Sequence, residues 1–151
     1  MKVAVGSDHA GFELKEHIKR YFSVLQIPIV DVGTTSAVSV DYPDYAERVA
    51  REVLDRKAER GILTCGTGIG VSIVANKFGG LRAALAWNVE IARLSRMHND
   101  ANILCLPGRF LQPDLALDIV RTWLETPFEG GRHQSRIDKI SALERHHTLP
   151  I

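Results

Sequence analysis

The chain is short of everything that would point to an unusual partner or environment. Its 151 residues hold two cysteines, Cys65 and Cys105, with no CxxC pair and no zinc-ligand spacing, so neither a disulfide framework nor a structural metal is expected. Nineteen lysines and arginines stand against 18 aspartates and glutamates, a formal net charge of +1. That balance supplies no field for nucleic acid or an acidic membrane surface. No apolar run approaches ~18 residues, and the N-terminus enters a strand pattern without a charged-then-apolar signal segment. A reducing cytoplasm is the expected compartment. Internal repeats, low-complexity tracts and interdomain linkers are missing too. Residues 1–151 therefore read as a single domain, long enough to bury roughly two-thirds of its unfolded surface.

What is present centres on Gly61-Ile-Leu-Thr-Cys-Gly-Thr-Gly-Ile-Gly70 and the residues after it to Lys77. An apolar run ends in Cys65, glycines fall at 66, 68 and 70, and helical spacing begins with Val71, Val74, Ala75 and Phe78. The pattern predicts a buried strand, a glycine-rich turn and a helix N-terminus. Cys65 is placed at the carboxyl end of its strand, where open α/β sheets bind ligands. Gly66, Gly68 and Gly70 let the backbone approach an anion, which the unpaired N–H groups of a helix start would face. A helix N-terminus favours a thiolate, so a cysteine acid/base beside a backbone anion hole is the working expectation.

The other elements follow in order. Strands are predicted at 2–6, 28–32, 81–85 and 102–106. A helix after the first strand turns Leu14, Ile18, Tyr21, Phe22 and Leu25 inward. Residues 34–42 read as a long surface loop, and Pro43 suits the first turn of a helix burying Ala46, Val49, Ala50, Val53 and Leu54. Asn88 can cap the fourth helix. Leu115, Ala116, Ile119, Val120 and Trp123 mark a fifth, and a last, basic helix runs over about 132–146. Short apolar strands alternating with helices predict a three-layer α/β/α Rossmann-like fold, with a five-stranded parallel sheet and the C-terminal helix at its periphery.

In such a fold every strand-to-helix turn lies on one edge of the sheet. Asp8 and His9, Cys65 and Thr67, and Arg109 are thereby gathered above the glycine loop. Each piece also has a plainer reading. Cys65 could fill a strand end, as Cys105 is expected to do inside its own strand. Asp8 could merely cap a helix. The glycines could mark only a tight turn. His98 ends the fourth helix, where a histidine often serves as a dipole partner. Arg132 and Arg136, at i and i+4, either grip a phosphate or form a solvated face. His17, His146 and His147 look like surface residues.

With these residues assembled, the chain resembles the type B ribose-5-phosphate isomerase family, whose relatives include galactose-6-phosphate isomerase subunits. The likeness is carried by Gly6-Ser-Asp-His-Ala-Gly11, Asp41-Tyr-Pro43, Cys65-Gly-Thr-Gly-Ile-Gly70, Ala75-Asn-Lys77, Leu94-Ser-Arg-Met-His-Asn99 and Gly130-Gly-Arg-His133. It implies an aldose–ketose isomerase acting through an enediolate. Cys65 would move a proton between C2 and C1. The backbone from Gly66 through Gly68 and Ile69 to Gly70 would hold the enediolate oxygens, helped by Thr67. His98, with Asp8 nearby, would assist opening of the furanose. His9, Arg132 and Arg136 would hold the phosphate, and Asn99 and Arg109 would complete the substrate contacts. The resemblance further implies a homodimer, or a tetramer of dimers, with shared sites to which the neighbouring subunit lends His98, Asn99 and the arginines. It implies no metal and no organic cofactor.

Ribose 5-phosphate is the expected substrate. Allose or galactose 6-phosphate, or a non-catalytic sugar-phosphate-binding role, stand as alternatives. A cysteine phosphatase would want an arginine six residues after Cys65, where Val71 stands. A dinucleotide fingerprint would need G-x-G-x-x-G in place of G-x-G-x-G.

Overall fold

The computed structural model describes residues 1–147, and of His147 the backbone alone, so the surface reading of that side chain lies outside the described residues. Five strands form one parallel sheet: β1 (Val3–Ser7), β2 (Ile29–Asp31), β3 (Arg60–Cys65), β4 (Ala83–Leu85) and β5 (Ile103–Pro107). Their order is β2-β1-β3-β5-β4, with β1, β3 and β5 at the centre. All five residues of β1 and of β5 are buried, as expected for parallel strands covered on both faces.

Side-chain alternation divides the core. Val3, Val5, Ile62, Leu104 and Leu106 point to the face covered by α1 (Phe12–Val24), α4 (Val89–Asn99) and α5 (Pro113–Glu125). Ala4, Leu63, Cys65, Ile103 and Cys105 point to the opposite face, under α2 (Tyr42–Leu54) and α3 (Ile69–Ala75). The sixth helix, α6 (Arg132–His147), packs on the rim, against α4, and its Glu144 carboxylate accepts the Gly80 N–H at 3.0 Å. The predicted five-stranded parallel sheet and peripheral last helix are both found. Among the described residues no helix is long and apolar enough to cross a membrane.

The adjacent strands β1 and β3 send their helices to opposite faces, so a crevice opens between them at their carboxyl ends. Asn88 caps α4 as expected, its Oδ1 accepting the Ile91 N–H at 2.8 Å. Several boundaries differ from the sequence pattern. The glycine-loop helix stops at Ala75, because the Asn76 side chain turns away to pair with both backbone groups of Ala83. That clamp delays β4 to Ala83. Leu25 and Leu54, expected inward, and Leu115, one of the residues that marked the fifth helix, are 47%, 41% and 39% exposed. The first caps the end of α1, the second closes α2, and the third lies in the opening turn of α5, where the helix face has not yet met the sheet.

Candidate active site

Three loops meet at the carboxyl edge of the sheet and are tied to one another largely through the backbone. Gly108 N–H donates to the Cys65 carbonyl at 2.8 Å, and Arg109 N–H to the Gly66 carbonyl at 3.1 Å. The Thr64 hydroxyl donates to the Gly11 carbonyl at 2.8 Å. Gly11 lies so close that a Cβ there would fall 2.3 Å from the Thr64 carbonyl oxygen. The loops after β1, β3 and β5 thus form one block.

Within it, the Cys65 side chain is buried and its sulfur accepts the Gly68 N–H at 3.1 Å. Gly68 stands at φ 74°, a left-handed conformation that turns the chain into α3. Exposed Thr67 accepts the Ile69 N–H at 3.2 Å. Two of the amides expected at the anion hole are therefore already committed, one to the thiol and one to the threonine. Tyr42 lays its ring against Gly70, where a Cβ would sit 2.7 Å from the ring atoms.

Asp8 is buried, its Oδ1 accepting the Gly11 N–H at 3.0 Å. That bond ties Asp8 to Gly11, the residue before α1, and α1 carries no side-chain cap, so the helix-capping reading of Asp8 is not realised; the bond instead fixes its carboxylate at the crevice. His9 Nδ1 accepts the Val40 N–H at 3.2 Å. The neutral ring must then carry its proton on Nε2, leaving that atom a donor. Arg109 is exposed beside Gly66, with Nη1 3.3 Å from where a Cβ would stand. Cys105 is fully buried inside β5, and burial first, then the neighbouring Cys65, pushes its thiol far above the ordinary range. It is the inert filler its position suggested.

His98, Asn99, Arg132 and Arg136 are not part of this block. Helices run back against parallel strands, so the C-terminus of α4 lies at the amino edge of the sheet. There the Asn99 carbonyl accepts Arg82 Nε at 2.8 Å, beside the start of β5. The Glu129 N–H donates to the Met97 carbonyl at 3.1 Å, bringing the start of α6 to the same edge. His98 stacks on His133 with ring centroids 4.2 Å apart. Burial pushes the His133 ring below its ordinary pKa, His98, Arg132 and Arg136 add to that, and Glu129 opposes it. Arg132 and Arg136 are exposed beside it. From Arg60 to Cys65 along β3, at about 3.3 Å per residue, the two edges are roughly 16 Å apart. A cavity of about 830 Å³ also opens at the amino edge, between Asn76, Lys77, Arg82, Asn99 and the Ile140–Leu143 side of α6.

The Ribose/Galactose Isomerase family model matches residues 3–140. The chain belongs to that family. Ribose-5-phosphate isomerase B of Escherichia coli is 45% identical over 144 residues, 95% of this chain and 97% of that protein. The structure of ribose-5-phosphate isomerase B from Clostridium thermocellum superposes with a TM-score of 0.97 at 49% identity, covering 98% of this chain and all of that one. A ribose-5-phosphate isomerase B from Mycoplasma genitalium, solved with bound ribulose 5-phosphate, gives 0.91 at 42% identity and covers 95% and 96%. For this member of the ribose/galactose isomerase family, Asp8, His9, Cys65, Gly66, Thr67, Gly68, Ile69, Gly70 and Arg109 are brought together. Sequence reasoning gave no role to Tyr42, Glu129 or His133. Tyr42 and His133 sit inside motifs that were noticed, but only the packing of a ring on Gly70 and of a ring on His98 singles them out.

Proposed function

We propose that the chain interconverts ribose 5-phosphate and ribulose 5-phosphate through an enediolate, with Cys65 as the base that moves the proton between C2 and C1. The observation that carries this reading is the position of the Cys65 sulfur. It lies at the crevice between β1 and β3, oriented by the Gly68 N–H and flanked by exposed Thr67. Moving hydrogen between adjacent carbons needs one base that reaches both, and donors aimed at the oxygens where charge develops. One such donor is worth about 3 kcal/mol of barrier. The loop backbone and the Thr67 hydroxyl supply them here, with Ile69 N–H released from Thr67 as substrate enters. The family and the ribulose 5-phosphate held by the Mycoplasma genitalium relative support the same substrate class.

The remaining groups come from a second copy. His98, Asn99, Arg132 and Arg136 stand at the far edge of their own sheet, beyond the reach of their own Cys65. A two-fold pair that sets one copy's amino edge on the other's carboxyl edge completes two equal sites. The carboxyl edge is dressed for such a contact. Val38, Tyr42, Ile69, Ile73, Trp87 and Phe110 expose between 40% and 74% of their surface around it. In that arrangement His98 opens the furanose with Asp8 opposite. His9, through Nε2–H, and the two arginines hold the phosphate, while Asn99 and Arg109 fix the sugar. Remote phosphate binding then positions the reacting carbons.

The test is conversion of ribose 5-phosphate by the purified chain with a chelator present, beside allose 6-phosphate and galactose 6-phosphate. Fast turnover of the pentose supports the reading. A clear preference for either hexose phosphate corrects the substrate, and silence on all three leaves a binding subunit.

A further inference from the structure

The amino edge gathers three metal-ligating side chains without joining them. Glu129 Oε2 lies 3.9 Å from His98 Nε2 and 3.8 Å from His133 Nε2. The two imidazoles stack with an interplanar angle of 14°. One ligand atom from each residue falls within 4.8 Å of the other two. These gaps are too long for hydrogen bonds. The two Glu129 gaps are only about half an ångström longer than the edges of a tetrahedron of donors at ~2.0–2.1 Å from an ion, and the 4.8 Å span of the whole set must close by roughly 1.4 Å.

We propose that His98, Glu129 and His133 form a binding site for a first-row divalent transition ion such as zinc, cobalt or nickel. Two imidazole nitrogens and one carboxylate oxygen suit these ions, whereas magnesium and calcium want oxygen alone. The backing is firm. His133 is 4% exposed at the start of α6, and the Glu129 N–H bond to the Met97 carbonyl clamps the loop one residue before His98. The other side is open, since the side chains of His98 and Glu129 are 38% and 53% exposed. Water can thus complete the shell. An ion draws the three atoms together and swings the stacked rings out of parallel so that both lone pairs converge. Arg132 and Arg136 beside the cluster oppose a cation, which makes the Glu129 carboxylate decisive. An ion there occupies Nε2 of His98 and stops isomerisation. That consequence rests on the role proposed for His98 above; the site itself does not.

The probe is cobalt(II), titrated into the purified full chain and followed by calorimetry and visible absorption, with turnover of ribose 5-phosphate measured alongside. Because Cys65 also attracts such ions, the Cys65→Ala protein is titrated in parallel. The expected result is uptake without a thiolate-to-cobalt charge-transfer band, kept in Cys65→Ala and weakened more than about tenfold in Glu129→Gln. Glu129 is exposed, so its replacement leaves the fold intact; His133→Asn is the second variant. No uptake, or uptake that follows Cys65 and ignores Glu129→Gln, overturns the site. Uptake at the triad that leaves turnover untouched keeps the site and removes His98 from ring opening.

Discussion

The two edges of the sheet are built in different ways. At the carboxyl edge the loops are held by amides and carbonyls, at glycines that let backbones touch. At the amino edge long cationic side chains do the holding. Arg60 donates to the carbonyls of Trp123 and Leu124, Arg82 to those of Asn99 and Asp100, and Arg96 to that of Ala101. Arg60 and Arg96 also lie over the buried Trp123 ring. The difference follows from helix direction. Helix C-termini at the amino edge leave carbonyls without partners, which guanidiniums satisfy. Helix N-termini at the other edge present N–H groups, which suit an anion. On the proposed reading, the backbone-built edge would hold the Cys65 sulfur in place, and the side-chain-built edge would carry the charged groups for a substrate phosphate.

The largest effect should fall on the carboxyl edge. Cys65→Ala is expected to lower kcat by about a thousandfold, within the range for losing a positioned base, while the circular dichroism spectrum stays native. Full activity in a folded Cys65→Ala protein would remove the base. Next comes a test of where the comparison breaks, because one ion network sits at the carboxyl edge. Lys15, 1% exposed, meets Asp31 at 2.6 Å, and Lys19 meets it at 2.7 Å. Lys15→Met should cost about 3 kcal/mol in urea denaturation, the low end for breaking a buried pair because Lys19 remains. Burial works against the Asp31 charge, but hydrogen bonds from Lys15, Lys19 and the Gly33 N–H outweigh it and hold the carboxyl below its usual range. A depressed carboxyl gives stability that is full above the unfolded value and lost as pH falls through the folded one. Lys15→Met should therefore flatten the acid limb of a stability–pH curve below about pH 4.

Gly68→Ala sharpens the comparison at a single residue. A methyl group there meets Leu85 Cδ1 at 2.5 Å with φ at 74°. Denaturation should show about 2 kcal/mol lost, with kcat falling as the Cys65 sulfur loses its donor. A neutral Gly68→Ala would mean that the loop is not rigid. The smallest effect belongs to the other edge. Arg132→Ala should raise KM for ribose 5-phosphate by about tenfold with little change in kcat, as expected for binding remote from the reacting carbons. An unchanged KM would take Arg132 out of the phosphate site.

Much of this was legible in the chain. Cys65 followed by alternate glycines announced a strand, a turn and a helix start, because close backbone approach and a left-handed turn both call for glycine there. The alternation of apolar strands with amphipathic helices announced a parallel sheet. Strand order was not legible, since Val3, Ile62 and Leu104 are equally apolar and any of them could lie centrally. Nor did spacing reveal that Asn76 would cut α3 short by pairing with Ala83. The stack of His98 on His133 joins residues 35 positions apart through the turn at Gly130 and Gly131, both at positive φ, and periodicity carries no trace of it. The separation of His98 from Cys65 is a consequence of helix direction, available from the pattern once the sheet is known to be parallel.

The most direct test of the proposed shared site mixes two proteins that are each expected to be inactive. Cys65→Ala and His98→Asn are unfolded together, refolded at equal amounts and assayed with ribose 5-phosphate. If each site takes Cys65 from one copy and His98 from the other, half of the pairs are mixed and each mixed pair has one intact site. Activity should then return to about one quarter of wild type. If both residues serve the same chain's site, every site carries a defect, and the mixture stays as inactive as its parents.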